Sequence, residues 1–232
     1  MFIQLVLSLM EVLSLAGGFV TRLANIAGNR PKPLVEVAGR PILERQIALL
    51  HGHGFGEIRL SLHHKADQII AFCDARWPGR MEYVVEPEPL GTGGGIKYAT
   101  RDWHEPFVVL NGDILSDLDV AAFAASRPDT IGCAYQEDAR GFGLLDIAEG
   151  VVRTFHEKPT EPIAGYINAG YYLLTPEAVR SVAADKFMIE TEVFPRLATA
   201  GKLSAFIHTG YWIDVGTEDR FWRANRHHEA VI

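Results

Sequence analysis

The sequence predicts an α/β fold: a doubly wound, mostly parallel mixed sheet that gives way to a β-rich second half. Three observations carry this. Short apolar runs alternate with segments of helical periodicity from residue 12 to residue 110. One of those runs, 107–110, is apolar at every position, as a central strand of a parallel sheet requires. From residue 130 onward, strand patterns follow one another closely.

The elements run as follows. Residues 11–15 form the first buried strand, and a loop rich in Gly, Arg and Pro occupies 16–33. Residues 41–50 place Ile42, Leu43, Ile47 and Leu50 at helical spacing, with Pro41 at the start, where its missing N–H does no harm. A strand at 58–62, a helix at 66–74, a strand at 83–85, a helix opening over 94–100 and the strand at 107–110 complete the alternation. In the second half, 130–135, 143–147 and 151–155 are strands, with a hairpin over 146–151 and Gly150 in its turn. A strand at 166–174, a helix at 176–183, a helix at 189–200 broken near Pro195, a final strand at 206–213 and a closing helix at 218–227 follow. No Pro-, Ser- or Gly-rich linker divides the chain, so 1–232 is expected to be one domain, with halves at 10–128 and 129–232.

The bulk numbers exclude some partners. Apolar residues make up 48% of the 232, enough for a full core, and the formal net charge is -7. An acidic chain disfavours nucleic acid, whose phosphates attract basic faces. It still accommodates a nucleotide if a few cations and a metal are placed locally. Cys73 and Cys133 lie in apolar surroundings and are expected as buried, reduced thiols. The apolar stretch 1–15 lacks a basic start, is interrupted by Glu11 and is short for a membrane span. Met10 can serve as an internal start, with 1–9 an extension. No membrane association is expected, and a homo-oligomer stays open.

Five segments carry chemistry. Leu15, Ala16, Gly17, Gly18, Thr21 and Arg22 lead toward Pro31-Lys32-Pro33. Small residues admit backbone N–H groups to phosphate oxygens, and Arg22 and Lys32 would neutralise a polyphosphate. Glu86-Pro87-Glu88-Pro89-Leu90-Gly91-Thr92-Gly93-Gly94-Gly95 joins a strand to a helix, as close approach to a nucleotide requires. Glu86 either accepts from a base edge or caps its own loop. Val108-Val109-Leu110-Asn111-Gly112-Asp113 delivers one carboxylate at a strand end, a hard oxygen ligand suited to magnesium. Asp119 more simply caps the helix that follows. Glu157-Lys158-Pro159 precedes Asn168; alone, Glu157-Lys158 is a surface ion pair of little worth. Tyr211-Trp212-Ile213-Asp214-Val215-Gly216-Thr217 again ends an aromatic strand in a carboxylate, with Thr217 as an N-cap. The histidines form no ligand spacing.

In these segments the chain resembles the sugar-phosphate nucleotidyltransferases, whose first loop runs Leu-Ala-Gly-Gly-x-Gly-Thr-Arg-Leu and continues to Pro-Lys-Pro. The resemblance extends from Glu11 to about Asn225. It implies a Rossmann-like nucleotidyltransferase fold with a nucleotide-binding first half and a sugar-phosphate-binding second half. It implies Mg2+ on Asp113 and Asp214, with Arg22, Lys32 and Asp113 in the catalytic group. Nucleotide contacts fall to Leu15, Ala16, Gly17, Gly18, Thr21, Glu86, Gly91, Thr92, Gly93 and Gly112. Sugar-phosphate contacts fall to Gly143, Glu157, Lys158 and Asn168. Val20 stands where the family has its third glycine. A β-branched residue disfavours positive φ there, which implies an altered loop or slow turnover.

The 86–93 loop, the 211–217 ending and the short chain look most like guanylyltransferases acting on D-glycero-α-D-manno-heptose 1-phosphate. Mannose-1-phosphate guanylyltransferases come next, then uridylyltransferases of amino-sugar phosphates. The implied role is cytoplasmic: GTP and a sugar 1-phosphate give a GDP-sugar and pyrophosphate for bacterial surface polysaccharide, capsule or lipopolysaccharide. A carboxylate at 86 favours guanine, whose N1 and N2 hydrogens it can accept. Two rivals remain. Val20 motivates a non-catalytic regulatory paralogue that binds nucleotide sugar. A glycosyltransferase is the other, with Asp117-Leu118-Asp119 as its only Asp-x-Asp match.

Overall fold

The computed structural model describes residues 7–19, 22–156 and 158–227. Along the chain it contains strand β1 (Val12–Leu15), helix α1 (Ala24–Ala27), a 3-10 turn (Lys32–Leu34), β2 (Glu36–Val37), β3 (Arg40–Pro41) and α2 (Ile42–Gly52). Then come β4 (Ile58–Leu62), α3 (Ala66–Arg76), β5 (Met81–Val85), α4 (Gly91–Ala99), β6 (Phe107–Asn111), β7 (Ile114–Ser116) and α5 (Val120–Ala124). The second half holds β8 (Thr130–Gln136), β9 (Leu144–Ala148), β10 (Val151–His156), β11 (Gly165–Leu174), α6 (Pro176–Arg180), α7 (Ile189–Glu192), α8 (Phe194–Thr199), β12 (Ser204–His208), β13 (Trp212–Asp214) and α9 (Glu218–Arg226).

These elements group into two compact units that do not follow a linear division. The first draws on described residues of Met1–Glu88, Leu110–Ala121 and Gly210–Ile232; the second on Pro89–Val109 and Ala122–Thr209. In the first unit β4 pairs parallel with β1 on one side and β5 on the other, and the end of β6 lies beside β1. Leu13, Ile58, Leu60 and Leu62 are fully buried, which explains why the strands read as apolar runs. A cluster of Leu23, Ala27, Val35, Val37, Ile42, Leu115, Ile213, Val215, Phe221 and Ala224 packs the rest of this unit. Each Val, Leu, Ile or Phe side chain in it contributes about 1.5–3 kcal/mol on burial.

In the second unit β8 pairs antiparallel with β11 and parallel with β12; β10 pairs antiparallel with β9 and β12. The hairpin expected at 146–151 is present: Val151 faces Ala148, and Glu149 and Gly150 both have positive φ, at 54° and 73°. That is the two-residue turn whose twist matches its strands. The helix expected at 189–200 is two helices, α7 and α8, parted at Val193 before Pro195.

The final strand expected at 206–213 is corrected. It is two strands, β12 in the second unit and β13 in the first, with Thr209-Gly210-Tyr211 between them. Gly210 leaves room there for the Asp117 carboxylate, since a Cβ would stand 2.2 Å from Asp117 Oδ1. Both cysteines are buried and unbridged, and burial pushes each thiol up to about 12. Among the described residues, no helix is long and apolar enough to cross a membrane.

Candidate active site

The first unit brings together the two carboxylates that the sequence places 101 positions apart. β13 pairs antiparallel with β7, so Asp214 faces Ile114, and the Val215 N–H donates to Asp113 O at 2.8 Å. Ile213 and Val215 flank Asp214 and are buried in the cluster above, which anchors the strand end that carries it. Burial, and next the charge of Asp113, hold the Asp214 carboxyl above the usual carboxylate range. Arg220, Lys32 and Arg22 act in the opposite direction. Its Oδ2 lies 3.3 Å from Arg220 Nη1. Its Oδ1 is buried without a hydrogen-bond partner. Gly216 leaves room for this carboxylate, since a Cβ there would stand 2.4 Å from Asp214 Oδ1.

Lys32 sits at the start of the 3-10 turn, between Pro31 and Pro33, and its Nζ donates to Asp113 Oδ2. The lysine of the Pro-Lys-Pro element and the strand-end aspartate therefore meet. Arg22 is exposed. A divalent cation fits this pair: hard oxygen donors, an orphaned buried oxygen and a carboxylate destabilised by its neighbour all call for positive charge. Among the described residues, no group of three or more His, Cys, Asp or Glu side chains forms a metal site.

The loops after β1, β4 and β5 continue this unit. Leu15 ends β1; the Ala16 N–H donates to Ser61 O at 2.9 Å, and the Gly112 N–H to Leu15 O at 3.1 Å. A Cβ on Gly112 would stand 2.3 Å from Leu15 O, and one on Gly17 2.8 Å from His63 N. Those two glycines are dictated by the protein's own backbone. Gly18 has nothing within 4 Å of a Cβ position. Glu86 accepts from Ser61 Oγ at 2.7 Å, and its N–H donates to Leu62 O at 2.7 Å. His63 Nδ1 lies 3.1 Å from Glu86 O, and Phe19 lies against both His63 and His64. Thr21 and Val20 lie outside the described residues.

The second unit holds Gly91, Thr92, Gly93, Gly143, Lys158 and Asn168. Its glycine run has a local reason. The Gly93 and Gly94 N–H groups both donate to Phe187 O, and Cβ atoms at Gly91 and Gly94 would stand 2.6 Å from Phe187 O and 2.3 Å from Asp185 O. Thr92 Oγ1 donates to Glu190 Oε2 at 2.5 Å and accepts from the Ile189 N–H at 3.1 Å. Gly143 O accepts from the Asn168 N–H at 2.8 Å, and Asn168 Nδ2 donates to Tyr172 OH at 3.1 Å. Lys158 has a left-handed backbone, φ 47°, uncommon for a residue with a side chain. Glu157 lies outside the described residues. As expected, Thr217 caps its helix, accepting from the Arg220 N–H. Asp119 lies 3.4 Å from His53 Nδ1.

The sequence reading did not single out Ser61, Arg220 or Gln46. Ser61 is a buried polar residue in the strand 58–62, and Gln46 a buried polar residue in α2. Ser61 and Gln46 are each 2% exposed or less.

The sequence profile described as "Nucleotidyl transferase" matches residues 12–231. A mannose-1-phosphate guanyltransferase of Aspergillus fumigatus is 34% identical over 226 residues, covering 91% of this chain and 62% of that protein. The chain thus spans about three fifths of the length of such curated relatives. The crystal structure of HddC from Yersinia pseudotuberculosis complexed with GMP-PN is 34% identical, with a TM-score of 0.81 over 94% of this chain and 99% of that one. A putative glucose-1-phosphate thymidylyltransferase from Bacillus anthracis, 22% identical with a TM-score of 0.83 over 94% of each chain, shares the fold. The chain belongs to the nucleotidyl transferase family.

Proposed function

We propose that the chain is a sugar-1-phosphate guanylyltransferase, joining GTP to D-glycero-α-D-manno-heptose 1-phosphate with release of pyrophosphate. The observation that carries the reading is the meeting of Asp113 and Asp214 beside Lys32 and Arg220. The relatives' names, the HddC complex with GMP-PN and the carboxylate at Glu86 support guanine.

The attacking oxygen of a sugar 1-phosphate is already ionised at neutral pH, so no general base is needed. Rate then comes from positioning and charge neutralisation. Asp113 and Asp214 would hold Mg2+, which supplies positive charge to the reacting phosphates. Arg22 and Lys32 stabilise the departing pyrophosphate. Lys158 grips the sugar phosphate, and Glu157, Asn168 and Gly143 contact the sugar. A cytoplasmic role in bacterial surface polysaccharide synthesis follows from that substrate. Mannose 1-phosphate is the second reading for the sugar, favoured by the names of the Aspergillus fumigatus protein and its like.

The test is a pyrophosphate-release panel of four nucleoside triphosphates against heptose, mannose, glucose and N-acetylhexosamine 1-phosphates. GTP with the heptose is expected to lead. Asp113→Asn should lower turnover by orders of magnitude with the fold intact. No release from any pair, with nucleotide sugar still bound, would instead support a regulatory paralogue.

A further inference from the structure

We infer that Gln46 is a positioning residue: its buried amide clamps both ends of the turn that presents Asp113. This rests on reading Asp113 and Asp214 as the metal-binding pair. Gln46 lies on α2, is 2% exposed, and sits with Leu43, Ile47 and Leu50 on the buried side of the helix, next to the buried Arg45. Its Nε2 donates to Asn111 O and to Ile114 O, both at 2.8 Å. Those carbonyls bracket Gly112-Asp113 on either side. One fixes the end of β6, the other the start of β7, where Ile114 faces Asp214.

The chemistry of the contact limits what can stand there. Two carbonyls converging on one atom need a donor with two hydrogens, which a carboxamide supplies and a carboxylate or thioether does not. The amide's own oxygen is buried with no hydrogen-bond partner. A residue selected to satisfy itself would not leave that acceptor orphaned. The side chain is arranged around the needs of the turn. Without it, the two carbonyls separate, and the Asp113 carboxylate loses its fixed distance from Asp214.

The experiment measures Mn2+ affinity by electron paramagnetic resonance in the full chain, for the wild type, Gln46→Met and Asp113→Asn. Circular dichroism confirms folding, and GTP binding is measured separately in EDTA. The expected result is Mn2+ affinity at least tenfold weaker in Gln46→Met, with metal-free GTP binding unchanged. A purely structural role would not produce that split. If Gln46→Met bound Mn2+ like the wild type while Asp113→Asn lost it, the positioning role would be overturned and the metal pair would stand. If Asp113→Asn bound Mn2+ normally, the metal pair would fall, and this inference with it. Should Gln46→Met not fold, Gln46→Glu, of the same shape, exchanges both donors for acceptors and is read by the same outcomes.

Discussion

Gly112→Ala separates a glycine required by the fold from one free for a ligand. The added Cβ would stand 2.3 Å from Leu15 O and 3.1 Å from its carbonyl carbon. Ordinary carbon–oxygen contacts fall at about 3.3–3.6 Å, so the two backbones must part by about 1 Å. The Gly112 N–H to Leu15 O bond, now 3.1 Å, does not survive that. Losing it costs about 1–3 kcal/mol, and the overpacking about 1–3 kcal/mol more. For a chain of this size the melting temperature should fall by about 5–20 °C. Asp113 moves with the turn, so turnover falls as well. The matched variant is Gly18→Ala, whose Cβ meets nothing within 4 Å. It should leave stability within about 0.5 kcal/mol while weakening GTP binding. Differential scanning fluorimetry and urea denaturation read the first effect, and titration with GTP the second. A Gly112→Ala protein that melted with the wild type would refute the argument from close approach.

Three further outcomes are expected. Asp214→Asn should raise the melting temperature of the metal-free protein. A buried carboxyl held above its usual range makes the folded state bind its proton more tightly, so stability declines as pH rises from about 4 through the folded value. Melting curves in EDTA across pH check this; the Asn variant should be flatter, and identical curves would contradict it. Glu86→Gln should shift preference from GTP toward UTP by about 10- to 100-fold, read as the ratio of kcat/KM values, because a charged acceptor is exchanged for an amide. Cys73 and Cys133 should resist a disulfide reagent at neutral pH and react fully in urea, since burial keeps both protonated up to about 12.

The strand at 107–110 and the two acidic groups after apolar runs were readable because an apolar run that stops at a polar residue marks a buried strand and its end. The partnership of β7 with β13 was not, since three-residue strands carry no periodicity. Nor was the break at Thr209-Gly210-Tyr211, where apolar character continues on both sides and the glycine leaves room for the Asp117 carboxylate. The 91–95 glycines suggested a nucleotide cradle, yet at Gly91 and Gly94 the approaching backbone belongs to residues 185–187 of the same unit. Small residues reveal that something comes close, without revealing what. Gln46 escaped notice because an amphipathic pattern counts apolar positions and passes over a polar one among them.

The pairing of Trp212, Ile213 and Asp214 with Ser116, Leu115 and Ile114 has a consequence for biogenesis. Roughly a hundred residues must be looped out before this short ladder can close, a distant contact that forms slowly. A nascent polypeptide that has emerged only as far as β12 owns one acidic group and lacks its mate. The two carboxylates cannot meet until β13 has followed.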